Sequence, residues 1–243
     1  MRRFFGTLRN DKIIIENEEL VHLKSVLRMK ENEEVIVYLN DEYEYLCNLK
    51  KIEKNYAECE VKDKWVCPAL PNKNIVLFQA LAKREKFEFI LQKAVELGIT
   101  KVVPFMSEFC VVKSNENKRQ RLETIILNAC KQCERSKQME LEDVQSFDKF
   151  LSELSEFDVV LFANEREEKR FDFSKLNGKN IAIIVGAEGG FSEKEKQDII
   201  SKNAISLSLG KRILRCETAS VAMMSMISIL SENWWRKKWR FVY

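Results

Sequence analysis

Glycine is scarce in this chain and unevenly placed: four of its seven glycines, Gly186, Gly189, Gly190 and Gly210, fall within one 25-residue stretch of a 243-residue sequence. The stretch reads Val185-Gly-Ala-Glu-Gly-Gly-Phe-Ser192, then a helix-like segment, then Leu207-Ser-Leu-Gly-Lys-Arg-Ile-Leu-Arg-Cys-Glu-Thr-Ala219, so each of two glycine-bearing loops follows a short apolar run. Glycine takes positive φ without strain and lets backbone approach a neighbour closely. Two such loops after two strands, in a chain otherwise poor in glycine, point to a ligand held by backbone groups. Two tight strand-to-helix connections are the plainer alternative.

The length allows two domains, and 45% apolar content suffices for ordinary cores. No run approaches the ~18–20 apolar residues of a membrane span. The opening Met1-Arg-Arg-Phe-Phe-Gly-Thr7 lacks the apolar region and cleavage site of a secretory signal, so the expectation is a cytoplasmic protein without membrane contact. Seven cysteines, at positions 47, 59, 67, 110, 130, 133 and 216, fit a reducing compartment better than a disulfide framework. With 41 basic and 38 acidic residues the net charge is +3, so any RNA contact must be local. Candidate patches are Arg2, Arg3 and Arg9, then Lys113 to Arg121, and the tail Trp234-Trp-Arg-Lys-Lys-Trp-Arg240. Each also reads as a solvated face.

Residues 1 to about 70 read as short strands (Arg3–Phe5, Lys12–Glu16, Glu34–Leu39, Glu44–Ile52, Tyr56–Lys62) interrupted by a helical stretch, Glu18–Arg28. Such spacing predicts a small β-barrel-like domain. Pro68 and Pro71 mark its boundary, giving an expected division into 1–71 and 72–243. From residue 74 apolar runs alternate with helical segments, which is an α/β rhythm: Ile75–Ala80, Glu85–Leu97 closed by Gly98, Lys101–Phe105, Asn117–Arg135, Val159–Phe162 and Ile181–Val185. Ser192 with Glu195 forms a capping box opening the next helix. A strand at Ile205–Leu209 and a final helix from Thr218 to about Trp235 complete the pattern.

The pair Gly186-Ala-Glu-Gly-Gly-Phe-Ser192 and Leu209-Gly-Lys-Arg-Ile-Leu-Arg-Cys-Glu-Thr-Ala219 resembles the signature of the SPOUT methyltransferases, and most closely their 16S ribosomal RNA uracil-N3-methyltransferase branch. Further matches are Met1-Arg-Arg-Phe-Phe5, His22 ahead of Val26-Leu-Arg28, Gln79-Ala-Leu-Ala-Lys83, Gln92-Lys-Ala-Val-Glu-Leu-Gly98 and Gln132-Cys-Glu-Arg135, so the resemblance covers nearly the whole chain. It implies an N-terminal PUA-like or OB-like RNA-binding barrel and a C-terminal α/β domain threaded into a deep trefoil knot. It also implies S-adenosylmethionine as methyl donor, no metal, 16S ribosomal RNA or the small subunit as substrate, and a homodimer. The implied donor-site residues are Phe162, Ala163, Glu165, Gly186, Glu188, Gly189, Gly190, Leu209, Gly210, Ile213, Leu214 and Thr218. Arg2, Arg3, Arg28 and Arg135 are the implied RNA contacts. This chain departs from the family's pattern at Ala187, commonly proline, at Cys216, commonly a smaller residue, and at Glu134, commonly glycine.

Loss of the imide proton from uracil N3 spreads negative charge over the flanking carbonyl oxygens, and arginine is the natural partner for it. Arg215 is the first candidate. Glu217 reads either as general base or as an anchor at a helix start, the latter favoured by the helix dipole. Glu188 reads as an acceptor for its own loop or as a partner for the donor's ammonium. His22, the single histidine, reads as structural or as an RNA contact. Cys130 and Cys133 read as helix-packing residues, since zinc wants four ligands. The apolar run Met223, Met224, Met226, Ile227, Ile229 and Leu230 reads as buried against the core or, in the homodimer reading, against the other subunit. Two alternatives stand beside base methylation: ribose 2'-O-methylation, and an assembly factor that kept the fold without catalysis.

Overall fold

The computed structural model describes residues 1–110, 119–165, 167, 176 and 178–231. The chain forms two compact units, one of Met1–Leu70 with Cys130–Gln138 and the other of Pro71–Ala129 with Met139–Tyr243. A linear division at residue 71 does not contain the second segment of the first unit.

The first unit is a six-stranded sheet in the order β1-β4-β5-β6-β3-β2. Its strands are β1 (Arg3–Phe5), β2 (Thr7–Arg9), β3 (Lys12–Glu16), β4 (Glu34–Tyr38), β5 (Tyr43–Ile52) and β6 (Tyr56–Val66). The two edge strands, β1 and β2, are consecutive in sequence and joined by Gly6 alone, so the sheet curls until its edges meet. A Cβ at Gly6 would lie 2.8 Å from Val37 Cγ1 and 3.0 Å from the Ile14 carbonyl oxygen, and only glycine permits that approach. The β2–β3 hairpin turns on Asn10 and Asp11 at φ of 48° and 61°, the two left-handed residues that a two-residue hairpin loop prefers. The helical stretch is a single turn, α1 (Asn17–Val21), continued by a π-helical turn at His22–Val26. Phe4, Ile13, Ile15, Leu23, Val35, Val37 and Leu49 fill the interior.

The second unit is a parallel sheet in the order β12-β10-β11-β7-β8-β9: β7 (Asn74–Ala80), β8 (Lys101–Phe105), β9 (Glu140–Leu141), β10 (Val159–Ala163), β11 (Asn180–Val185) and β12 (Ile205–Leu207). Its central strands are near-continuous apolar runs, as burial on both faces requires. The helices are α2 (Arg84–Glu96), α3 (Arg119–Gln132), α4 (Phe147–Glu153), α5 (Glu193–Ser201) and α6 (Cys216–Ser231). Gly98 ends α2 at φ 76°, with Ile99 N–H donating to the Ala94 carbonyl at 2.9 Å and Gly98 N–H to that of Val95 at 3.2 Å, a Schellman closure.

Helix α6 follows the first of the two readings of its apolar run, burial against the core. Met223, Met224 and Ile227 are fully buried within this single chain, where α6 packs on α2 and β11; of that run, Ile229 is exposed. Residues 113–118 of one predicted basic patch and the tail with Trp234, Trp235 and Trp239 lie outside the described residues.

Candidate functional site

The chain leaves β11 and reaches β12 on the far side of β10, creating the reversal of strand order at whose carboxyl edge ligands bind in open α/β sheets. There the segments Ala163–Glu165, Val185–Phe191 and most of Leu209–Ala219, with Lys86 from α2, line a cavity of about 420 Å³. That volume suits a small molecule.

The four glycines of this region divide by physical cause. At Gly186 a Cβ would meet Phe191 Cε2 at 2.9 Å, and at Gly189 it would meet Phe109 Cβ at 2.6 Å and the Phe109 carbonyl at 3.0 Å. These two let the loop pack on its own chain: Phe191 enters the core stacked on Phe105 at 6.2 Å and edge-on to Phe162 at 5.3 Å. Gly190 and Gly210 hold φ of +68° and +112° with nothing within 4 Å of where a Cβ would stand. The ligand argument from glycine content therefore applies to Gly190 and Gly210, and Gly186 and Gly189 have a packing cause.

A buried amide ties the loops together. Gln79, at the end of β7 with no solvent exposure, donates from Nε2 to the carbonyls of Ala80 at 3.0 Å and Gly186 at 3.2 Å. Its Oε1 accepts from Ser220 Oγ on α6 at 2.6 Å. The predicted capping box at Ser192 and Glu195 is present, and Glu195 also accepts from Glu108 N–H at 2.8 Å.

Lys86 carries the site's charge pattern. Its Nζ lies 3.2 Å from Glu188 Oε1 and 3.4 Å from Glu217 Oε2. Burial pushes both carboxyls up, but their own backbone N–H groups and Lys86, with the Lys83 N–H at Glu188 and the Cys216 thiol at Glu217, outweigh it and hold both below the usual carboxylate range. Burial and Glu217 push the Cys216 thiol up to about 12. Lys211, Arg212 and Arg215 are exposed, and Arg212 and Arg215 line the cavity.

Of the donor residues implied by sequence, Ala163, Glu165, Gly186, Glu188, Gly189 and Gly190 line the cavity, as do Leu209, Gly210, Ile213 and Leu214. Phe162 does not, being wholly buried behind Phe191, and Thr218 is exposed on the first turn of α6 outside the lining. Glu217 is held by Lys86 and Cys216 and is not part of the lining. In the first unit Arg2 and Arg28 are exposed, and Arg3 donates to Glu134 at 2.8 Å. Arg135 is 3% exposed, so it is an interior residue and not a surface contact for RNA. His22 is exposed with its ring 6.1 Å from that of Phe4. Sequence reasoning missed Lys86, Arg212 and Asn164, whose N–H donates to the Leu207 carbonyl at 3.0 Å and joins β10 to β12. Among the described residues no group of acidic, histidine or cysteine side chains is arranged to hold a metal, and no helix is long and apolar enough to cross a membrane.

Residues 69–228 match the RNA methyltransferase domain family, and residues 15–62 match the RNA methyltransferase PUA domain. The chain is 31% identical to ribosomal RNA small subunit methyltransferase E of Bacillus subtilis, over 96% of this chain and 98% of the relative. It is 32% identical to the protein of that name from Mesomycoplasma hyopneumoniae, over 93% and 98%. A crystal structure of ribosomal RNA small subunit methyltransferase E from Neisseria gonorrhoeae, bound to S-adenosyl methionine, superposes with a TM-score of 0.83 at 27% identity, covering 95% of this chain and 98% of that one.

Proposed function

The chain belongs to the ribosomal RNA small subunit methyltransferase E family, and from that premise we propose that it transfers a methyl group from S-adenosylmethionine to N3 of a uridine in small-subunit ribosomal RNA. The observation that carries the reading is the cavity at the strand-order reversal, walled by two loops whose Gly190 and Gly210 leave open space where side chains would stand.

The residues fit the donor. Leu209, Ile213 and Leu214 offer apolar surface, the glycine loops offer backbone groups, and Glu188 offers negative charge toward a cation. When bound, the donor supplies an activated methyl carbon. The chain's own part is to orient the acceptor and lower its proton affinity. Arg215, exposed at the cavity with no carboxylate partner shown among the described residues, stabilises the negative charge that develops on the uracil oxygens as the N3 proton leaves. Glu217, clamped by Lys86 and held below the usual carboxylate range, acts as an anchor for the second loop and not as the proton acceptor.

RNA is gripped by the first unit through Arg2, Arg3 and Arg28, in keeping with a net charge too small for diffuse binding. A homodimer and the trefoil knot belong to the same reading. Ile213, 87% exposed on the cavity wall, and the half-exposed Phe109 against Gly189 are apolar surfaces that a second copy would cover. The substrate places the protein in the cytoplasm. Incubation with methyl-labelled S-adenosylmethionine and small ribosomal subunits tests the function: the wild-type chain labels the RNA and Arg215→Ala loses that transfer while still binding donor.

A further inference from the structure

Three separate segments converge on one ammonium. Glu188 comes from the first glycine loop, Glu217 from the start of α6, and Lys86 from the first turn of α2; the Lys83 N–H at the amino end of α2 also donates to Glu188 Oε1 at 3.3 Å. The neighbouring cations are engaged elsewhere: Arg84 and Arg121 both pair with Glu88, at 2.9 and 2.7 Å. Arg212 and Arg215 are exposed at the cavity and are not paired with either carboxylate among the described residues. The Cys216 thiol donates to Glu217 Oε2 at 3.3 Å and is neutral. Lys86 is thus the side-chain cation that the structure sets against Glu188 and Glu217.

We propose that Lys86 is a positioning residue for donor binding, an electrostatic clip that draws both cavity loops onto the amino end of α2 and keeps Glu188 and Glu217 together as charged groups. This rests on the reading of the cavity as the donor site. Without the ammonium, two partly buried carboxylates share one place, and like charges in such a place either part or take up a proton. Parting opens the cavity wall, because Glu188 lines it and Glu217 begins the helix that follows the second loop. Protonation of one carboxyl is a substitute for the missing cation, so the defect depends on pH with a fixed sign: worst when both groups are ionised and milder as pH falls.

The test is calorimetric titration of the full chain with S-adenosylmethionine across about pH 5.5 to 8, a range above the ordinary carboxylate pKa, for wild type, Lys86→Met, Lys86→Arg and Lys86→Met/Glu217→Gln. Wild type and Lys86→Arg bind with little dependence on pH. Lys86→Met is weakened about tenfold or more at the upper end, a coupling of the size expected between charges in contact. It recovers toward the acid end, and Glu217→Gln in the same chain restores affinity at every pH. If Lys86→Met does not fold, Lys86→Gln takes its place with the same expectation. A neutral variant that binds like wild type throughout, or one weakened equally at all pH and not rescued by Glu217→Gln, overturns the clip. A wild-type chain that binds no donor overturns the donor-site reading itself, and the clip with it.

Discussion

Arg3 Nη1 donates to the Glu134 carboxylate at 2.8 Å, while Glu134 itself sits at a left-handed φ of 62°. The backbone there is fixed by Tyr38, whose hydroxyl donates to the Glu134 carbonyl at 3.0 Å, so the strain is held in place by the first unit. Left-handed backbone explains why glycine is the common residue at this position in the family the chain resembles. Glu134→Gly relieves about 1–2 kcal/mol of strain and gives up an exposed ion pair worth about 0–1 kcal/mol, whereas Glu134→Ala gives up the pair and keeps the strain. Thermal melts should therefore rank Glu134→Gly above Glu134→Ala. Both variants lose the ion pair, so the reverse order would show that left-handed strain at this position does not set the ranking. Glu134→Gly also frees Arg3 and should steepen the salt dependence of RNA binding.

The two kinds of glycine separate under substitution. Gly189→Ala drives a Cβ into Phe109 and should cost about 1–3 kcal/mol of stability, as overpacking does. Gly210→Ala meets no atom of the chain, pays only backbone strain of about 1–3 kcal/mol, and should cut donor affinity further than its loss of stability explains. Melting temperature and calorimetric affinity measured on the same samples distinguish them; equal effects on both quantities would contradict the division.

Gln79 and Ser220 should behave as one unit. Gln79→Leu orphans the Gly186 carbonyl and removes the acceptor for Ser220 Oγ, at a cost of about 1–3 kcal/mol for each buried group left unmatched. In Gln79→Leu the Ser220 hydroxyl still reaches the Cys216 carbonyl at 2.8 Å. Ser220→Ala orphans Gln79 Oε1 but leaves the Gln79 bond to the Gly186 carbonyl in place, so it should cost less. Urea denaturation of both single variants and the double should be clearly non-additive. Additivity would mean that the two side chains do not share an interaction.

Cys47, Cys59 and Cys216 have thiols pushed up to about 12, by burial first in each case. A raised folded pKa means the native state keeps its proton longer than the unfolded chain, whose thiols ionise near 8.5. Their contribution to stability is therefore complete below that pH and lost as pH rises toward the folded value. Iodoacetamide near pH 8 should modify the half-buried Cys110 and Cys133 well before these three. Early modification of Cys216, mapped by mass spectrometry, would show that the cavity wall opens.

What the sequence revealed and what it hid follow from where the signal lies. Strands with buried alternation or continuous apolar runs, such as Lys12–Glu16 and Ile75–Ala80, and a helix with glycine at its end are legible from neighbours alone. Strand β2 is exposed along its whole length and β9 is two residues long, so neither carries a burial pattern. Helix α4 carries a usable sequence signal of its own, the Ser146 cap whose hydroxyl accepts from the Lys149 N–H. Lys86 and Gln79 were hidden for a different reason. A lysine on an amphipathic helix and a glutamine ending a strand look ordinary until the fold brings loops from far along the chain against them. Arg135 shows the converse: its motif was visible, its burial was not.

Nucleoside analysis of small-subunit RNA after reaction with methyl-labelled S-adenosylmethionine and the full chain tests the central claim most directly. The account predicts label in 3-methyluridine, a base blocked on its pairing edge that also halts reverse transcription at a single site, with the product absent when Arg215→Ala replaces wild type. Label recovered on a ribose 2' oxygen, on another base, or nowhere with folded, donor-bound protein would contradict it.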